Sequence, residues 1–442
     1  MVNRWGLQKK EQKAVERFFN NKRVELSSLI HQIQEQCRAN CPARHVLLIQ
    51  DTSELNYNSH NGRLRLQDQD LGVLSDNRST GLFVHPGLAI DATNGLPVGY
   101  GSLKIFNHHF SRPSRKKEEH QSLPIEQKRS YRWLETLQES RGVLSRASQI
   151  TMIADRESDI YELFGQARSS KEHLLVRSSW NRRIEQGGQL QAYLDQQASQ
   201  HSFDIQLSGQ AKRQARKAHL QLKWCKVSLL KPKKKKKLLS TYPDSIELTV
   251  VQAKEVPSSV PAGEEPIHWC LLTTHEVEQF EDAVQLINWY RQRWWIEELF
   301  RLMKTKGFQI ESSQFSSGAA LKKLVALTLE QALQVLTLRQ ARQSSTDVQA
   351  NLCFKQEQQQ FLHHLEQQVQ GPTPKQQNPF ESYSLAWATW IIARLGGWKP
   401  AHMNKRPPGI ITLKRGLDKF NQQFQGWKLA AQFFQNGKAP PT

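Results

Sequence analysis

Between Tyr290 and Lys304 the chain reads Y-R-Q-R-W-W-I-E-E-L-F-R-L-M-K, and this stretch constrains the fold more than any other. At about 100° per residue of an α-helix, Tyr290, Arg293, Glu297, Arg301 and Lys304 fall within roughly a quarter of the circumference. Trp295, Ile296, Leu299, Phe300, Leu302 and Met303 cover the opposite half. A helix so apolar on one side has to dock against a core. Its other side then presents one carboxylate among three cations and a phenol. Two readings of that face stay open. One is a solvated stripe with i,i+4 ion pairs (Arg293–Glu297 and Glu297–Arg301), each worth roughly 0.2–0.5 kcal/mol. The other is a site that binds a metal ion and phosphates together, where an acid held among bases has a use.

The rest of the chain bears on that choice. Its 442 residues suffice for two or three domains with a real core. Lys and Arg outnumber Asp and Glu by 61 to 41, a net charge of +20 that favours a polyanionic partner, most commonly nucleic acid. Twelve Trp and 18 Phe argue for packed domains rather than a disordered basic tail. No stretch approaches the ~20 uninterrupted apolar residues of a membrane span, so no membrane partner is expected. The N-terminal Met-Val-Asn-Arg-Trp-Gly lacks a signal-peptide apolar region. The five cysteines (Cys37, Cys41, Cys225, Cys270, Cys353) form no CxxC pair and support neither a disulfide framework nor a zinc site. A reducing cytoplasm fits.

Along the chain, residues 1–44 are charged and helix-prone, with Phe18, Phe19 and Leu26 to Ile33 as apolar anchors. His45-Val-Leu-Leu-Ile-Gln-Asp51 is a short apolar run that stops on an acid. Residues 81–90 and 97–106 read as strands around an Asn94-Gly95 turn, a hairpin signal. Residues 126–142 look helical, and the strand Gln149-Ile-Thr-Met-Ile-Ala-Asp155 again ends on an acid. From about 174 to 275 the period changes to two: Phe203, Ile205 and Leu207 alternate with polar residues, as do Leu220, Leu222 and Trp224, and Ile246, Leu248 and Val250. Lysines 231 and 233–237 lie in a turn of this β-rich module. A long helix is expected near 319–343, with Leu321, Val325, Leu329, Leu333 and Leu336 on one face. Gln- and Pro-rich residues 355–379 read as a linker, and helical segments from Trp387 onwards close the chain.

Asp51, Asp155 and Glu297 stand out by position. Alone, an acid that follows a strand usually caps the next turn. Together they follow an order: a strand and hairpin, then a strand ending in Asp, then a helix carrying Glu. This is the order of the ribonuclease-H-like fold, in which such carboxylates converge at the sheet's edge. The predicted class is therefore α/β: a ribonuclease-H-like catalytic core with an inserted β-rich subdomain and a C-terminal helical region. The expected divisions are an N-terminal helical segment (1–44), the first part of the core (45–173), the β-rich insertion (174–275), the helical second part of the core (276–350) and a C-terminal helical region (351–442).

Three blocks carry a family resemblance: V-L-L-I-Q-D-T-S-E-L-N-Y (46–57), I-A-D-R-E-S-D-I (153–160) and Y-R-Q-R-W-W-I-E-E-L-F-R-L-M-K-T (290–305). They resemble the DDE transposases of bacterial cut-and-paste elements, and within them the hairpin-forming, insertion-sequence-four type with a Y-(2)-R-(3)-E-(6)-K signature. Here the signature is Tyr290, Arg293, Glu297 and Lys304. The resemblance implies that Asp51, Asp155 and Glu297 are the catalytic, metal-binding triad for two Mg²⁺ ions, with Mn²⁺ able to substitute. It implies phosphate contacts from Tyr290, Arg293 and Lys304, second-tier DNA contacts from Arg177 and Arg301, and further contacts from Lys128 and Ser130. The last two belong to Lys128-Arg-Ser130-Tyr-Arg132-Trp133, which resembles the family's K-E-S-x-K-W block, with Arg129 in place of its acid. It implies that Trp269 stacks on a base displaced at the hairpin. The implied partners are double-stranded DNA (transposon ends and target) and a second copy of the chain, dimerising through Arg394-Leu-Gly-Gly-Trp398 and Gly409 to Trp427. Lys13-Ala-Val-Glu-Arg-Phe-Phe-Asn-Asn matches a block that in the family follows an end-binding module. The chain is thus expected to begin late, and the alternative function is a truncated inhibitor that dimerises without transposing.

Overall fold

The computed structural model describes residues 9–60, 68–108, 123–199, 201–207, 215–233, 239–305, 307–342, 348–400 and 407–435. Two helices, α1 (Lys9–Asn20) and α2 (Leu26–Asn40), lead into β1 (His45–Gln50), β2 (Ser53–Asn56), β3 (Gly72–Val73) and the hairpin β4 (Thr80–Asp91) and β5 (Pro97–Phe106). Gly95 turns that hairpin at φ +70°, backbone that favours glycine. Next come α3 (Tyr131–Val143), β6 (Gln149–Ala154), α4 (Tyr161–Gly165), β7 (Glu172–Arg177), α5 (Leu190–Gln196), β8 (His201–Leu207), β9 (Arg216–Leu230), β10 (Ser245–Glu255) and β11 (His268–Thr273). Helices complete the chain: α6 (Phe280–Arg291), α7 (Trp294–Lys304), α8 (Gly318–Ala341), α9 (Gln356–Val369), α10 (Leu385–Leu395) and α11 (Ile410–Gln435).

The described strands join in one mixed sheet of order β2-β4-β1-β6-β7-β11-β10-β9-β8, with β3 and β5 also pairing with β4. β1 is buried from Val46 to Gln50, as expected for an apolar run covered on both faces. It runs parallel to β6, His45 opposite Gln149 through Ile49 opposite Ile153. Two residues further along the same register, Asp51 and Asp155 come level at one edge of the sheet. β6 is parallel to β7, and antiparallel β11 carries the sheet on into the alternating strands β8 to β10. The strands expected between 174 and 275 therefore continue the sheet that holds the two aspartates.

One helix is placed as expected, and one expectation is corrected. The long helix expected near 319–343 is α8, with Leu321, Val325, Leu329, Leu333 and Leu336 all buried, and Ala326, Val335, Thr337 and Leu338 are buried as well. The helix is wrapped on nearly every side by β5, α1, α2, α7 and the C-terminal helices, which is why it carries few charges. The stretch 355–379, read as a linker, contains helix α9. Glutamine is a good helix former; Phe361, Leu362 and Leu365 are buried, and Phe361 packs against Phe420, Phe424 and Trp427 of α11. Of the lysine run, Lys231 is buried and paired with Asp244 at 2.9 Å, Lys233 is exposed, and 234–237 lie outside the described residues.

At the sheet edge opposite the aspartates, Thr151 Oγ1 sits 2.8 Å from both His45 Nε2 and His275 Nε2, and His173 stacks on His275 at 3.9 Å. Burial pushes His45 down to about 4 and His275 to about 3. A base depressed in the folded state is protonated first in the unfolded chain, so its stabilisation is complete above pH 6.5 and is lost as pH falls towards 3–4. Urea unfolding between pH 7 and 4 should show a loss on the order of 2 kcal/mol, reduced in a His275→Gln variant.

Candidate active site

Each aspartate leaves its strand and turns back on its own chain. Asp51 Oδ1 accepts the Thr52 N–H at 2.8 Å, and Asp155 Oδ1 accepts the Arg156 N–H at 2.8 Å, capping the short turn Arg156–Ser158. Local capping and a place at the sheet edge thus coexist. His85, fully buried on β4, holds Asp51's neighbours from behind: its ring lies 2.8 Å from Thr52 Oγ1 and 3.2 Å from Gln50 Oε1.

The segment 290–304 is not one helix. α6 ends at Arg291 and α7 begins at Trp294, with Gln292 and Arg293 turning between them. The break follows no Gly or Pro. Gln292 Oε1 accepts the Trp295 indole N–H at 3.0 Å, while Arg293 is drawn to the aspartates. Within α7 the apolar half is placed as expected, with Trp295, Ile296, Leu299, Leu302 and Met303 buried and Glu297 on the open side.

The bend brings the predicted residues together. Arg293 Nη1 lies 3.5 Å from Asp51 Oδ2; its Nη2 lies 3.7 Å from Asp155 Oδ2 and pairs with Glu297 Oε1. One guanidinium therefore spans carboxylates from β1, β6 and α7. Tyr290 donates its hydroxyl to Asp155 Oδ1 at 3.3 Å, and Arg177 Nη1 stands 3.9 Å from the same oxygen. Burial pushes the Asp51 carboxyl up to about 6; the Thr52 N–H and Arg293 oppose this, and the Asp155 and Glu157 charges add to it. Burial works against the charge on Arg293, yet Tyr290, Glu297, Asp155 and Asp51 outweigh it and raise its pKa. Tyr290 is raised by burial and by Asp155. Carboxylates crowded in this way need a cation.

The donor chemistry suits a hard divalent ion, since all three side chains offer oxygen. As placed, they close on Arg293, and among the described residues no group of three or more His, Cys, Asp or Glu stands close enough to hold an ion. Coordination by all three requires the guanidinium to withdraw.

Other predicted residues lie further out. Trp269, on β11, is half-buried with its ring edge-on to Tyr290 at 5.9 Å. Lys304 ends α7 about two turns beyond Glu297, with no ion pair to the three acids among the described residues. Arg301 turns to Glu298, a fully buried carboxylate that also takes Arg339 at 2.7 Å. Lys128 and Ser130 precede α3, whose Arg132 pairs with Glu157 at 2.8 Å and feels the charge of Asp51. Two exposed tryptophans escaped the sequence reading: Trp294, beside Arg293, and Trp180, after β7. Exposure of a lone aromatic leaves no periodic signal in a sequence.

Residues 99–329 match the Transposase DDE domain family, more than half of the chain, and the chain belongs to that family. The matched stretch contains Asp155 and Glu297; Asp51 lies ahead of it. Among solved structures, the piggyBac transposase in a synaptic complex with hairpin DNA, determined by cryo-electron microscopy, is similar at 11% identity and a TM-score of 0.32. The similarity covers 76% of this chain and 60% of that one, so the chain spans about three-fifths of that protein's length. No described helix is long and apolar enough to cross a membrane.

Proposed function

We propose that the chain is a DNA transposase of the hairpin-forming, Y-R-E-K group, with a ribonuclease-H-like core, cutting double-stranded DNA at transposon ends as a homodimer. The observation that carries this is the meeting of Asp51, Asp155 and Glu297, from three separate elements, on one guanidinium. In this reading the three acids hold Mg²⁺, or Mn²⁺ in its place, as a two-metal site. The ions supply an activated water and charge neutralisation at the phosphodiester.

The remaining work falls to the chain's own side chains. Arg293, fork-shaped and permanently charged, exchanges its carboxylates for phosphate oxygens when DNA arrives. Tyr290 donates a hydroxyl where Asp155 now accepts it, and Arg177 and Lys304 add cations along the strand. Trp269, edge-on to Tyr290, stacks on a base displaced beside the cut. One strand is hydrolysed to leave a 3′ hydroxyl, which then attacks a phosphodiester of the opposite strand; the new phosphodiester closes the hairpin as the old P–O bond breaks and the flanking strand leaves with a 3′ hydroxyl. Lys128, Ser130 and Arg301 serve as outlying backbone contacts. The C-terminal helices, with Ile411 and Leu429 exposed, are the proposed dimer surface.

The test is a pre-nicked duplex carrying the element's own terminal sequence, incubated with Mg²⁺ or Mn²⁺. Hairpin product that disappears in Glu297→Ala supports the reading; DNA binding with no cleavage under either ion contradicts it. Arg293→Ala should also melt earlier than wild type in chelator, because the acids lose their shared cation, and Mg²⁺ should raise its melting temperature more than that of wild type. An ion-independent melting temperature would contradict the metal assignment.

A further inference from the structure

We propose that Trp180 is a stacking platform for an unpaired DNA base beside the phosphate being cut; the proposal rests on the DNA-cleaving reading above. At 64% exposure, Trp180 is the most exposed large apolar side chain among the described residues. Its backbone is nonetheless firmly held. Asp159, buried to 1% exposure, accepts the N–H groups of Ser179 at 2.7 Å and Trp180 at 3.0 Å on one carboxylate oxygen. Its other oxygen takes Arg182 Nε at 3.0 Å and Nη2 at 2.6 Å. A buried ion pair thus pins the loop after β7 while the indole stands in water. Such an arrangement keeps a large apolar surface out of the core at a fixed place, the pattern of a preorganised contact.

The surroundings indicate what the indole meets. Trp180 lines an open groove of about 340 Å³ with Arg156, Arg177, Asn181, Gln191 and His268. Two of these residues also belong to the carboxylate site. Arg177 stands 3.9 Å from Asp155, and Arg156 donates its backbone N–H to the same side chain. An exposed indole that shares its groove with two arginines suits a nucleotide, with the base on the indole and its phosphate on the arginines. A paired base inside a duplex cannot reach an indole in a groove, so the base that stacks there has left the helix. Trp269 is placed differently: it is half-buried with its edge towards Tyr290. The two tryptophans stand on different elements, Trp269 on β11 and Trp180 in the loop after β7, and take different bases.

The full-length protein can be tested by fluorescence anisotropy in chelator, where no cutting occurs. Two duplexes of equal length serve as probes, one fully paired and one with a single unpaired base. The wild type should prefer the second by about tenfold, the scale of one base–aromatic stack. Trp180→Ala should erase the preference while leaving affinity for the paired duplex, and Trp180→Phe should retain most of it. Circular dichroism and melting of both variants should match wild type, since the side chain packs little. The proposal is overturned if wild type shows no preference, if Trp180→Ala keeps it, or if Trp180→Ala instead changes the sedimentation of the protein, which would make the indole a protein contact. If paired DNA is bound and cut but the preference is independent of Trp180, only this proposal falls. If no DNA is bound at all, the cleavage reading falls with it.

Discussion

Glu297→Gln should lower metal-dependent strand cleavage by about a thousandfold while leaving the melting temperature close to wild type. The loss corresponds to removing several kcal/mol of transition-state charge stabilisation. The fold should tolerate the change because Glu297 lies on the open face of α7, its side chain 38% exposed, and its one ion pair is shared with Arg293. Exposed pairs of this kind contribute about 0–1 kcal/mol. Asp51→Asn should be equally inactive, yet slightly more stable in chelator, because it removes one of three crowded carboxylates from a half-buried position where desolvation disfavours its charge. Cleavage rates and thermal melts of the two variants check both halves of this expectation.

The adjacent glutamate should behave in the opposite way. Glu298→Ala should destabilise the protein by about 1–2 kcal/mol, because the arginines it leaves behind are partly solvated. The Glu298 side chain is fully buried and pairs with Arg301 on its own helix and Arg339 on α8, so it locks α7 to the central helix. Its removal leaves Arg301 and Arg339, both partly solvent-exposed, without their shared counter-charge. Chemical denaturation should show the loss, and any fall in activity should follow from unfolding and recover at lower temperature. If Glu298→Ala were as stable as wild type, the buried pair would not hold α7 in place. Neighbours of identical chemistry, 100° apart around one helix, thus divide between the site and the core.

These contrasts mark what the residues alone disclose. Asp51 and Asp155 were legible because each ends a short apolar run, and the parallel register of β1 and β6 brings such ends level. The apolar side of α7 was legible from its period. The break at Gln292–Arg293 was not, since every residue there is an acceptable helix former. A local contact and two distant ones mark the break: Gln292 with Trp295 three residues on, and Arg293 with two aspartates more than a hundred residues away. The same applies to α9, where glutamine-rich composition suggested a linker while Phe361, Leu362 and Leu365 supplied a buried face, Phe361 meeting the aromatic rings of α11. His85 carried no signal at all, because its role lies in a hydrogen bond to a residue 33 positions earlier.

If Asp51, Asp155 and Glu297 act as metal ligands in DNA cleavage, exchanging a ligand atom reveals it most directly. Asp51→Cys, Asp155→Cys and Glu297→Cys place a thiolate, a soft ligand, where a hard oxygen stood. Mg²⁺ binds thiolate poorly, whereas Mn²⁺ accepts it better. Cleavage of a terminal duplex should vanish with Mg²⁺ in all three variants and return at least in part with Mn²⁺ in one or more. Folded variants that stay active with Mg²⁺, or that Mn²⁺ fails to restore at every position, would contradict the account.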